Sequence, residues 1–590
     1  MPPEEVAQRP SMRAPRSSAA QPPLRVGNCS GFYGDRLSAM RELLEGGELD
    51  VVTGDYLAEL TMLILGKDQM KDPSLGYART FVRQVGDCLG LALEEGVRIV
   101  ANAGGLNPAG LVARLREVAE EQGLSPRIAW VDGDNLAPRV VELGLQGALT
   151  ANAYLGAFGI ARALEAGADI VVTGRVTDAS IAVGPAIWKF GWTPEQYDEL
   201  AGAVVAGHVI ECGTQATGGN FSGFLELPRD GRPLGFPIAE ISADGSCVIT
   251  KHDGTGGLVS VDTVTAQLLY EVQTEHYLGP DVTVDLSTIE LAPDGQDRVR
   301  VSGVRGQAPP PRLKVCVNEL GGFRNQMEFV LTGLDIEAKA AWVRAQLDGR
   351  IDTASVSWSL GRLPGPDSET EEGASCLLRV VVKDSDATRA GKAFTSAVVE
   401  LALGSYPGFT MTTPPGPASP YGIYRPAYVD RDVVTHTVHL PVGTVEVIPD
   451  PPVAEQPEFA TGRRKVPAVA GISEESITRR VPLGTFVHAR SGDKGGDANV
   501  GLWVRAGDRQ VQQAQWLERF VSEERVRQLI PEAADLDIEA FPLPNLHGVN
   551  VLIRGLLGEG VAASTRFDPQ AKGLGEWLRS RLVSVPEELL

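Results

Sequence analysis

The feature that most constrains the fold is a repeated alternation of short apolar strands and amphipathic helices in the first part of the chain. LRVGNCSGFYGDRLSAMRELLEGG predicts a strand, a glycine-rich turn and a helix, and LDVVTGDYLAELTMLIL repeats that order. Further helices are predicted over 74–96, 108–122 and 151–166, with apolar strands between them. Strands that alternate with helices of about 10–20 residues are typical of a mostly parallel, helix-covered sheet. We therefore expect a Rossmann-like α/β domain over 24–279.

Polar, glycine-rich turns follow the carboxyl ends of the predicted strands. The five turns are GNCSGFYGD, TGDY, ANAGGLNP, DGDN and TGRVTDAS. In open α/β sheets, ligands bind in the crevice beyond this edge. The sequence therefore predicts a ligand site on one rim of the sheet, although the pattern by itself does not define the chemistry of that site.

The second half of the chain predicts two more folded units. Residues 280–447 combine predicted hairpins, VTVDLSTIELAPDGQDRVRVSGVRG and LKVCVNELGG, with helices over 336–348 and 388–404, which indicates a mixed α+β lobe. The segment 448–480 is Pro-rich and polar, as interdomain linkers are. Residues 481–590 show the order ββαββα, which predicts a small α+β sandwich.

Composition excludes several classes of partner and fold. The 54 basic and 76 acidic residues give a formal net charge of −22, which argues against nucleic acid or an anionic membrane because both are bound through excess Lys and Arg. Six scattered cysteines without a CxxC pair indicate neither a disulfide framework nor a zinc ribbon, and they fit a reducing cytoplasm. No apolar run approaches the roughly 18 residues of a membrane span. Residues 1–23 lack a signal-peptide core and predict a disordered tail.

Three acidic residues are candidates for acid–base catalysis. Asp55 and Glu59 are four residues apart, so on a helix their carboxylates share one face and could divide acid and base roles. Asp178 follows an apolar strand together with Arg175, whose planar guanidinium suits a carboxylate or a phosphate. Glu211 lies near a predicted helix end. The structural alternatives are a capped helix with a solvated glutamate, a buried Arg–Asp pair and an ordinary helix terminus.

One cysteine lies in a pattern that nucleophiles use. The turn at 27–31, GNCSG, matches the G-x-C-x-G form of the nucleophile elbow, between a predicted strand and a predicted helix. A hydrolase of that type also needs an acid and a histidine, and His488 and His547 lie in another unit. Cys29 is therefore a candidate nucleophile, with a partly buried structural thiol as the alternative.

The same turns supply candidate ligand contacts. Main-chain N–H groups of Gly31 and Gly104–Gly105 could hold an oxygen anion, and tight turns without a ligand are the alternative. The loop 490–499, RSGDKGGDAN, could cap the site or bind a partner, or it could be an ordinary charged hairpin loop. The candidate substrate-binding residues are Asn28, Ser30, Gly31, Asn102, Gly104, Gly105, Asn107, Arg175, Asn220 and Lys251.

Several long phrases of the sequence resemble one protein family. CSGFYGDRLSAM, VVTGDYLAELTMLILGKDQMKDPSLGYARTF, GVRIVANAGGLNPAGL, GHVIECGTQATGGN and GTGGLVSVDTVTAQLLYE resemble the acyclic terpene utilization (AtuA) family. HARSGDKGGDANVG resembles that family's fused ferredoxin-fold domain, and the resemblance covers about residues 25–585. It implies a catabolic protein linked to the breakdown of citronellol- and geraniol-like acids as acyl-CoA thioesters.

We therefore expect a cytoplasmic, homo-oligomeric enzyme that acts on a branched acyl-CoA as a hydratase or lyase, with CoA entering only as part of the substrate. Hydration or cleavage beside a thioester needs a general acid or base, for which Asp55, Asp178 and Glu211 are the candidates, and donors to the thioester oxygen. A second hypothesis is a non-catalytic ligand-binding or assembly partner of an acyl-CoA carboxylase. A third is a thiol hydrolase that uses Cys29.

Overall fold

Residues 21–454 and 477–590 are described by a computed structural model. The predicted disordered tail, 1–23, and the predicted linker, 448–480, lie mostly outside these ranges. Among the helices that are described, none has the length and apolar character needed to cross a membrane.

The part up to Ser302 has the alternation of strands and helices that the sequence predicts. Its strands are β1 (Leu24–Asn28), β2 (Val51–Gly54), β3 (Arg98–Ala101), β4 (Ile128–Asp132), β5 (Ala148–Ala153), β6 (Ile170–Thr173), β7 (Pro237–Ile241), β8 (Cys247–Lys251), β9 (His276–Leu278), β10 (Thr283–Asp285), β11 (Glu290–Pro293) and β12 (Val299–Ser302). Its helices are α1 (Ala39–Gly46), α2 (Glu59–Lys71), α3 (Arg79–Glu95), α4 (Pro108–Glu121), α5 (Phe158–Glu165), α6 (Ser180–Phe190), α7 (Tyr197–Ile210) and α8 (Val261–Leu268). In α3, for example, Phe81, Val85 and Leu89 are buried at successive turns, which is the spacing of an amphipathic helix.

The remainder of the chain contains fourteen further strands and five further helices within the described ranges. The middle part contains β13 (Arg305–Gln307), β14 (Arg312–Thr332), α9 (Ile336–Leu347), β15 (Ser355–Leu360), β16 (Ser375–Asp384), α10 (Phe394–Val399), β17 (Thr410–Met411), β18 (Ser419–Asp430), β19 (Thr437–His439) and β20 (Val445–Val447). The C-terminal part contains β21 (Thr478–Pro482), β22 (Val487–Lys494), β23 (Asp497–Val504), α11 (Gln510–Phe520), α12 (Glu523–Leu529), β24 (Ile538–Leu543), β25 (Gly548–Ile553), α13 (Leu574–Ser580) and β26 (Leu582–Pro586).

An eleven-stranded sheet runs through the first part in the order β11-β12-β8-β7-β1-β2-β3-β6-β4-β19-β20. Its five central strands, β1-β2-β3-β6-β4, pair in parallel, and antiparallel strands extend the sheet on both sides. The outer strands form three hairpins, β7–β8, β11–β12 and β19–β20. They are antiparallel because a short connection can join two neighbouring strands only in that direction. The predicted mostly parallel sheet is thus the centre of a larger mixed α/β sheet, and the Rossmann-like assignment stays a prediction.

Strand pairing crosses the predicted boundary at residue 280. The strands β11, β12, β19 and β20 belong by sequence to the predicted second lobe, yet they extend the first sheet. In the other direction, β5 of the first part pairs with β14 of the middle part. The limits of the domains therefore stay predictions, because residues on both sides of residue 280 share their sheets.

Two local predictions are wrong. A helix was expected over 151–166, but Ala151 lies in β5 opposite Val317 of β14, and only α5 is helical. LKVCVNELGG was expected to form a hairpin and instead lies within β14, which pairs with β18 for most of its length, with a bulge between Leu320 and Gly322. In both cases pairing with a distant strand outweighs the local preference of the segment.

The C-terminal part is an antiparallel sheet with the predicted order of elements. Its strands pair in the order β22-β23-β25-β24, and the predicted central helix is divided into α11 and α12. Trp503 and Leu543 of this sheet pack into the main hydrophobic core of the first part. Asn499 adds a buried connection, because its Nδ2 donates to the carbonyl of Leu269 and its Oδ1 accepts from the N–H of Glu271. The β22–β23 hairpin is therefore held firmly against the first part.

Candidate active site

A cavity of about 1000 Å³ lies where three parts of the chain meet. Its walls come from turns that follow β1, β2 and β6, from β14 and β18, and from the tip of the β22–β23 hairpin. Three of the five predicted strand-end turns therefore line it, whereas ANAGGLNP and DGDN do not. Lining residues from these walls include Gly31, Asp55, Arg175, Lys314, Tyr424 and Lys494.

The cavity brings together some of the predicted site residues and adds others from distant elements. The predicted residues that line it are Gly31, Asp55, Arg175, Asp178, Glu211 and Asn220. Glu59, the predicted partner of Asp55, also lines it, as do Asp493 and Lys494 of the loop 490–499. Lining residues that were not selected from the sequence include Tyr154, Glu271, Lys314, Tyr424 and Lys572. The possibility that loop 490–499 caps the site agrees with this arrangement.

Asp55 follows β2 directly, and its side chain is buried, with the residue 5 % exposed. Its Oδ1 accepts hydrogen bonds from Asn102 Nδ2 at 2.6 Å and from the N–H of Leu57 at 3.2 Å. Burial raises the pKa of Asp55 well above its ordinary value, and Asp178 raises it further against the opposing effect of Arg175. Asp55 is therefore a weaker acid than an exposed aspartate, and Asn102 orients it from behind.

Glu211 follows the end of α7 and is paired with a neutral histidine. Its Oε1 lies 3.0 Å from Nδ1 of His208, and its buried Oε2 has no hydrogen-bond partner in the described structure. Burial raises the pKa of Glu211 well above its ordinary value, and burial lowers the pKa of His208 to about 4. The side-chain amide of Asn28 donates to the carbonyl of Glu211 at 2.9 Å and fixes this helix end against β1.

Arg175 is a buried cation, with 2 % of the residue exposed, and it combines a structural role with a place in the cavity. Its Nη1 donates to Asp178 at 2.7 Å and to the carbonyl of Leu57 at 2.9 Å, and its guanidinium lies 4.4 Å from the centre of the Tyr154 ring. Burial lowers its pKa, but Asp178 and Tyr154 outweigh that effect and the net pKa is raised. The predicted Arg–Asp pair is thus present at the cavity wall.

Glu59, at the start of α2, has a pKa shifted in the opposite direction to that of Asp55. Its Oε1 accepts from the Tyr154 hydroxyl at 3.1 Å and lies 4.0 Å from Nζ of Lys314. Burial acts to raise its pKa, but Lys314, Arg175 and other cations lower the pKa to about 2. One cavity therefore holds carboxyl groups whose pKa values are raised and a carboxyl group whose pKa is lowered.

The C-terminal hairpin and the segment after α8 complete the wall. Burial and Glu271 raise the pKa of Asp493 to about 7, against the effect of Lys572, whose Nζ lies 3.7 Å from both carboxylates. Burial lowers the pKa of Lys494, but Glu271, Glu59 and other carboxylates outweigh it, so the net pKa is raised and the ammonium stays charged.

The structure does not support Cys29 as a nucleophile. Its side chain is fully buried, it does not line the cavity, and its Sγ lies 3.8 Å from the Tyr56 hydroxyl. Burial raises the pKa of the thiol to about 12, so almost no thiolate is present at neutral pH. The alternative of a buried structural thiol fits these observations.

Two of the three predicted glycine donors already have acceptors within the protein. The N–H of Gly31 donates to Asp35 Oδ2 and the N–H of Gly104 donates to the carbonyl of Thr173, each at 2.9 Å. Gly105 lies outside the cavity lining, has a φ of +54° and packs so closely on Leu65 that a Cβ would lie 2.4 Å from its Cδ1. Gly31 and Gly104 therefore offer no free N–H group to a ligand, and Gly105 allows a tight turn.

Five further predicted contacts have structural partners and lie outside the cavity lining. Ser30 donates to the carbonyl of Phe32, and Asn107 caps α4 by accepting from the N–H of Gly110 at 2.9 Å. Lys251 Nζ donates to the carbonyl of Thr255 and lies 3.3 Å from Asp297. Asn28 and Asn102 stand behind Glu211 and Asp55, as described above, and support them without facing the cavity.

The protonation states and hydrogen bonds of this cavity suit proton transfer. No group of three or more His, Cys, Asp and Glu side chains in the described ranges is arranged to hold a metal ion.

The sequence signal for Asp55, Asp178 and Glu211 was their position after strands or a helix that end at one rim. Tyr424 lacked such a signal, and Lys494 had only its place in the polar loop 490–499, because both residues reach the cavity through long-range pairing and docking.

Comparison with known protein families gives two matches. The model described as "Acyclic terpene utilisation family protein AtuA" matches residues 24–440, and the "AtuA ferredoxin-like domain" matches residues 481–584. A search of curated proteins gives no match. The first match spans well over half of the chain and confirms the resemblance found in the sequence. The chain therefore belongs to the acyclic terpene utilisation family AtuA and carries that family's ferredoxin-like domain at its C-terminal end.

Proposed function

We propose that this protein is a catabolic enzyme of acyclic terpenoid or related branched-acid degradation that acts on an acyl-CoA thioester as a hydratase or lyase. The observation that carries the proposal is that neighbouring carboxyl groups in one cavity have pKa values shifted in opposite directions. Burial raises the pKa of Asp55 and of Glu211 well above their ordinary values, whereas nearby cations outweigh burial and lower the pKa of Glu59 to about 2. Environments that separate the pKa values of neighbouring carboxyl groups are typical of acid–base catalysis.

The substrate class is supported by the shape of the cavity and by the family. About 1000 Å³ is at the upper end of the usual size of small-molecule sites. Leu57, Leu63, Leu234 and Leu313 line it beside the charged groups, so a branched hydrocarbon chain has apolar surface to contact. The family description, acyclic terpene utilisation, fits such a chain.

The chemical step requires only water and the groups already described. In hydration, the oxygen of water bonds to the β carbon of an unsaturated thioester, and Asp55 then delivers its proton to the α carbon. The carboxylate of Asp178, oriented by Arg175, accepts the proton that water loses, and proton exchange with solvent restores both groups. Cleavage of a β-hydroxy thioester uses the same groups, with removal of the hydroxyl proton as the first event.

Native mass spectrometry with free CoA, short acyl-CoA and branched acyl-CoA thioesters tests this proposal. We expect selective binding of the branched thioesters, followed by a change in their mass on incubation. Binding without any change would favour the rival hypothesis of a non-catalytic ligand-binding or assembly partner of an acyl-CoA carboxylase. Failure to bind any thioester would contradict the acyl-CoA assignment. The cytoplasmic setting and the homo-oligomer remain predictions that accompany the proposal.

A further inference from the structure

The proposed reaction moves an electron pair onto the thioester oxygen, so the cavity needs hydrogen-bond donors at that place. The main-chain N–H groups of Gly31 and Gly104 already have acceptors within the protein. Arg175 directs Nη1 to Asp178 and to the carbonyl of Leu57, and its buried Nε has no hydrogen-bond partner within the described residues. Because Arg175 already orients Asp178, donors to the thioester oxygen are sought among the other residues of the wall.

We propose that the hydroxyl of Tyr424 and the ammonium group of Lys494 form the site that binds the thioester oxygen while it carries enolate charge, an inference that rests on the proposed function. One residue comes from β18 and the other from the C-terminal hairpin. Both line the cavity.

Tyr424 offers a donor that the protein itself does not use. Its hydroxyl is buried and has no hydrogen-bond partner in the part of the chain that the structure describes. A buried hydroxyl without a partner is costly to folding, so its retention at a cavity wall is explained by a ligand that accepts from it. Burial raises the pKa of Tyr424 well above its ordinary value, so the hydroxyl keeps its proton and remains a donor.

Lys494 supplies a positive charge on the same wall. It ends β22, and its Nζ lies 6.0 Å from the centre of the Tyr277 ring, which also lines the cavity. The carboxylates around it, Glu271 and Glu59 among them, keep the ammonium charged. Lys314 lies 4.0 Å from Glu59 and balances the charge of that carboxylate, so the charge of Lys494 remains available to a ligand.

The docking of the C-terminal domain brings these two residues together. The ring of Tyr424 packs on Gly495, the residue after Lys494, so closely that a Cβ on that glycine would lie 2.6 Å from Cε1 of the ring. The N–H of Tyr424 donates to the carbonyl of Glu559 at 3.3 Å, which is also in the C-terminal domain. The tip of the hairpin and the tyrosine therefore form one unit, and the ferredoxin-like domain contributes directly to the site.

The chemical role of the pair balances without any further reactant. When water adds to the β carbon, the π electrons of the double bond move through the α carbon to the thioester oxygen, and the O–H of Tyr424 and an N–H of Lys494 donate to that oxygen. When Asp55 protonates the α carbon, the electron pair returns and the carbonyl re-forms. Neither side chain forms a covalent bond or changes its own proton count.

Acetoacetyl-CoA is the probe for this site, because its enolate has an ultraviolet band that its keto form lacks. We expect the wild-type protein to bind acetoacetyl-CoA and to increase its enolate fraction. Tyr424→Phe and Lys494→Met should each bind the probe while stabilising the enolate about 100-fold less, which is the usual effect of losing one such donor. Lys494→Arg should recover part of the effect, since it keeps the charge.

Two matched variants separate this role from a structural one. Tyr406→Phe removes a hydroxyl that donates to the carbonyls of Val330 and Thr410 outside the cavity, and Lys339→Met removes an amine that donates to the carbonyl of Thr332. Both should give the wild-type enolate band, and Tyr406→Phe should lose stability whereas Tyr424→Phe should not.

Three results would decide the matter. A wild-type enolate fraction in Tyr424→Phe would overturn the inference even if Lys494→Met failed to fold. A wild-type protein that binds the probe only as the keto form would also overturn it and leave thioester binding intact. A wild-type protein that binds branched thioesters but not the probe would overturn the inference alone, whereas a protein that binds no thioester would contradict the proposed function as well.

Discussion

At the scale of single residues, the surroundings of each carboxyl group decide what it can do. Asp55 and Glu59 are four residues apart in sequence, yet burial and Asp178 raise the pKa of Asp55, while Lys314 and Arg175 outweigh burial and lower the pKa of Glu59. The sequence could place Asp55 at a strand end, which is where it lies. It could not predict these pKa shifts, because they depend on residues more than a hundred positions away.

Asp55→Asn tests the acid role. Asparagine keeps the acceptor for Asn102 and for the N–H of Leu57 but has no proton to donate, so we expect a rate lower by about 10²–10⁴ with stability at least equal to that of the wild type. Steady-state kinetics and thermal unfolding measure the two effects. Asp281→Asn is the control, because Asp281 is also buried, burial raises its pKa to about 6, and it lies outside the main cavity. Equal activity in the Asp55 variant and this control would refute the assignment.

Cys29→Ala tests the thiol-hydrolase alternative. Because the thiol is buried outside the cavity, the variant should keep full activity and lose about 1 kcal/mol of stability through reduced packing. Alkylation of the native wild type followed by peptide mass spectrometry should leave Cys29 unmodified. Loss of activity that tracks alkylation of this one residue would restore the nucleophile hypothesis.

At the scale of elements, the main chain of the turn after β1 is in direct contact with the main chain that follows α7. A Cβ on Gly31 would lie 2.5 Å from the N of Gly213 and 2.6 Å from the carbonyl carbon of Cys212. The side-chain amide of Asn28 joins the same two elements, because it donates to the carbonyls of Ile210 and Glu211. The position of Glu211 therefore depends on the absence of a side chain at residue 31.

Gly31→Ala should move the end of α7 and with it Glu211. We expect a loss of about 1–3 kcal/mol in the free energy of unfolding, as in other overpacked sites, together with a fall in activity. Gly90→Ala is the matched control, since that position is exposed in α3 and its Cβ would meet nothing closer than 3.9 Å. Denaturant unfolding should show the control to be neutral or stabilised. An unchanged midpoint for Gly31→Ala would mean that the close approach does not matter.

The elements also show which parts of the fold sequence patterns can predict. The strands and helices around the parallel centre followed from periodicity, because each one buries its own apolar face. Periodicity did not predict two strands, Ala148–Ala153 and Arg312–Thr332. Each of them is stabilised by pairing with segments far away in the sequence. An alanine-rich segment fits a helix and a strand equally well until its partner is known.

At the scale of the whole molecule, the candidate site exists only when the three parts of the chain are docked. Trp503 packs into the core of the first part and its Nε1 donates to Asp262 at 3.0 Å, while Arg324 and Arg379 donate to main-chain carbonyls of the segment 562–565. Strand-end rules identified one wall of the site. The other walls come from docking contacts that no single segment of the sequence encodes.

The pH dependence of stability should report on this docked arrangement through Asp493. Burial and Glu271 raise its pKa from 3.8 to about 7 in the folded protein, so between those values the unfolded chain loses a proton that the folded protein keeps. Stability therefore falls as pH rises through this window and is level above it.

Asp493→Asn should remove that fall and be about 1–2 kcal/mol more stable than the wild type near pH ~8, with no difference near pH ~4. Urea unfolding at several pH values measures this, with the exposed Asp508→Asn as control, and parallel curves for Asp493→Asn and wild type would exclude the effect.

The central claim is that the cavity performs acid–base chemistry on a branched acyl-CoA. The most direct measurement is mass spectrometry of branched, α,β-unsaturated and β-hydroxy acyl-CoA thioesters after incubation with wild type, Asp55→Asn and Asp281→Asn in water labelled with heavy oxygen. We predict that wild type and Asp281→Asn incorporate one labelled oxygen into the unsaturated thioester or shorten the β-hydroxy thioester, and that Asp55→Asn does so at least about 100-fold more slowly. Bound thioesters that stay chemically unchanged with the wild-type protein would contradict the claim.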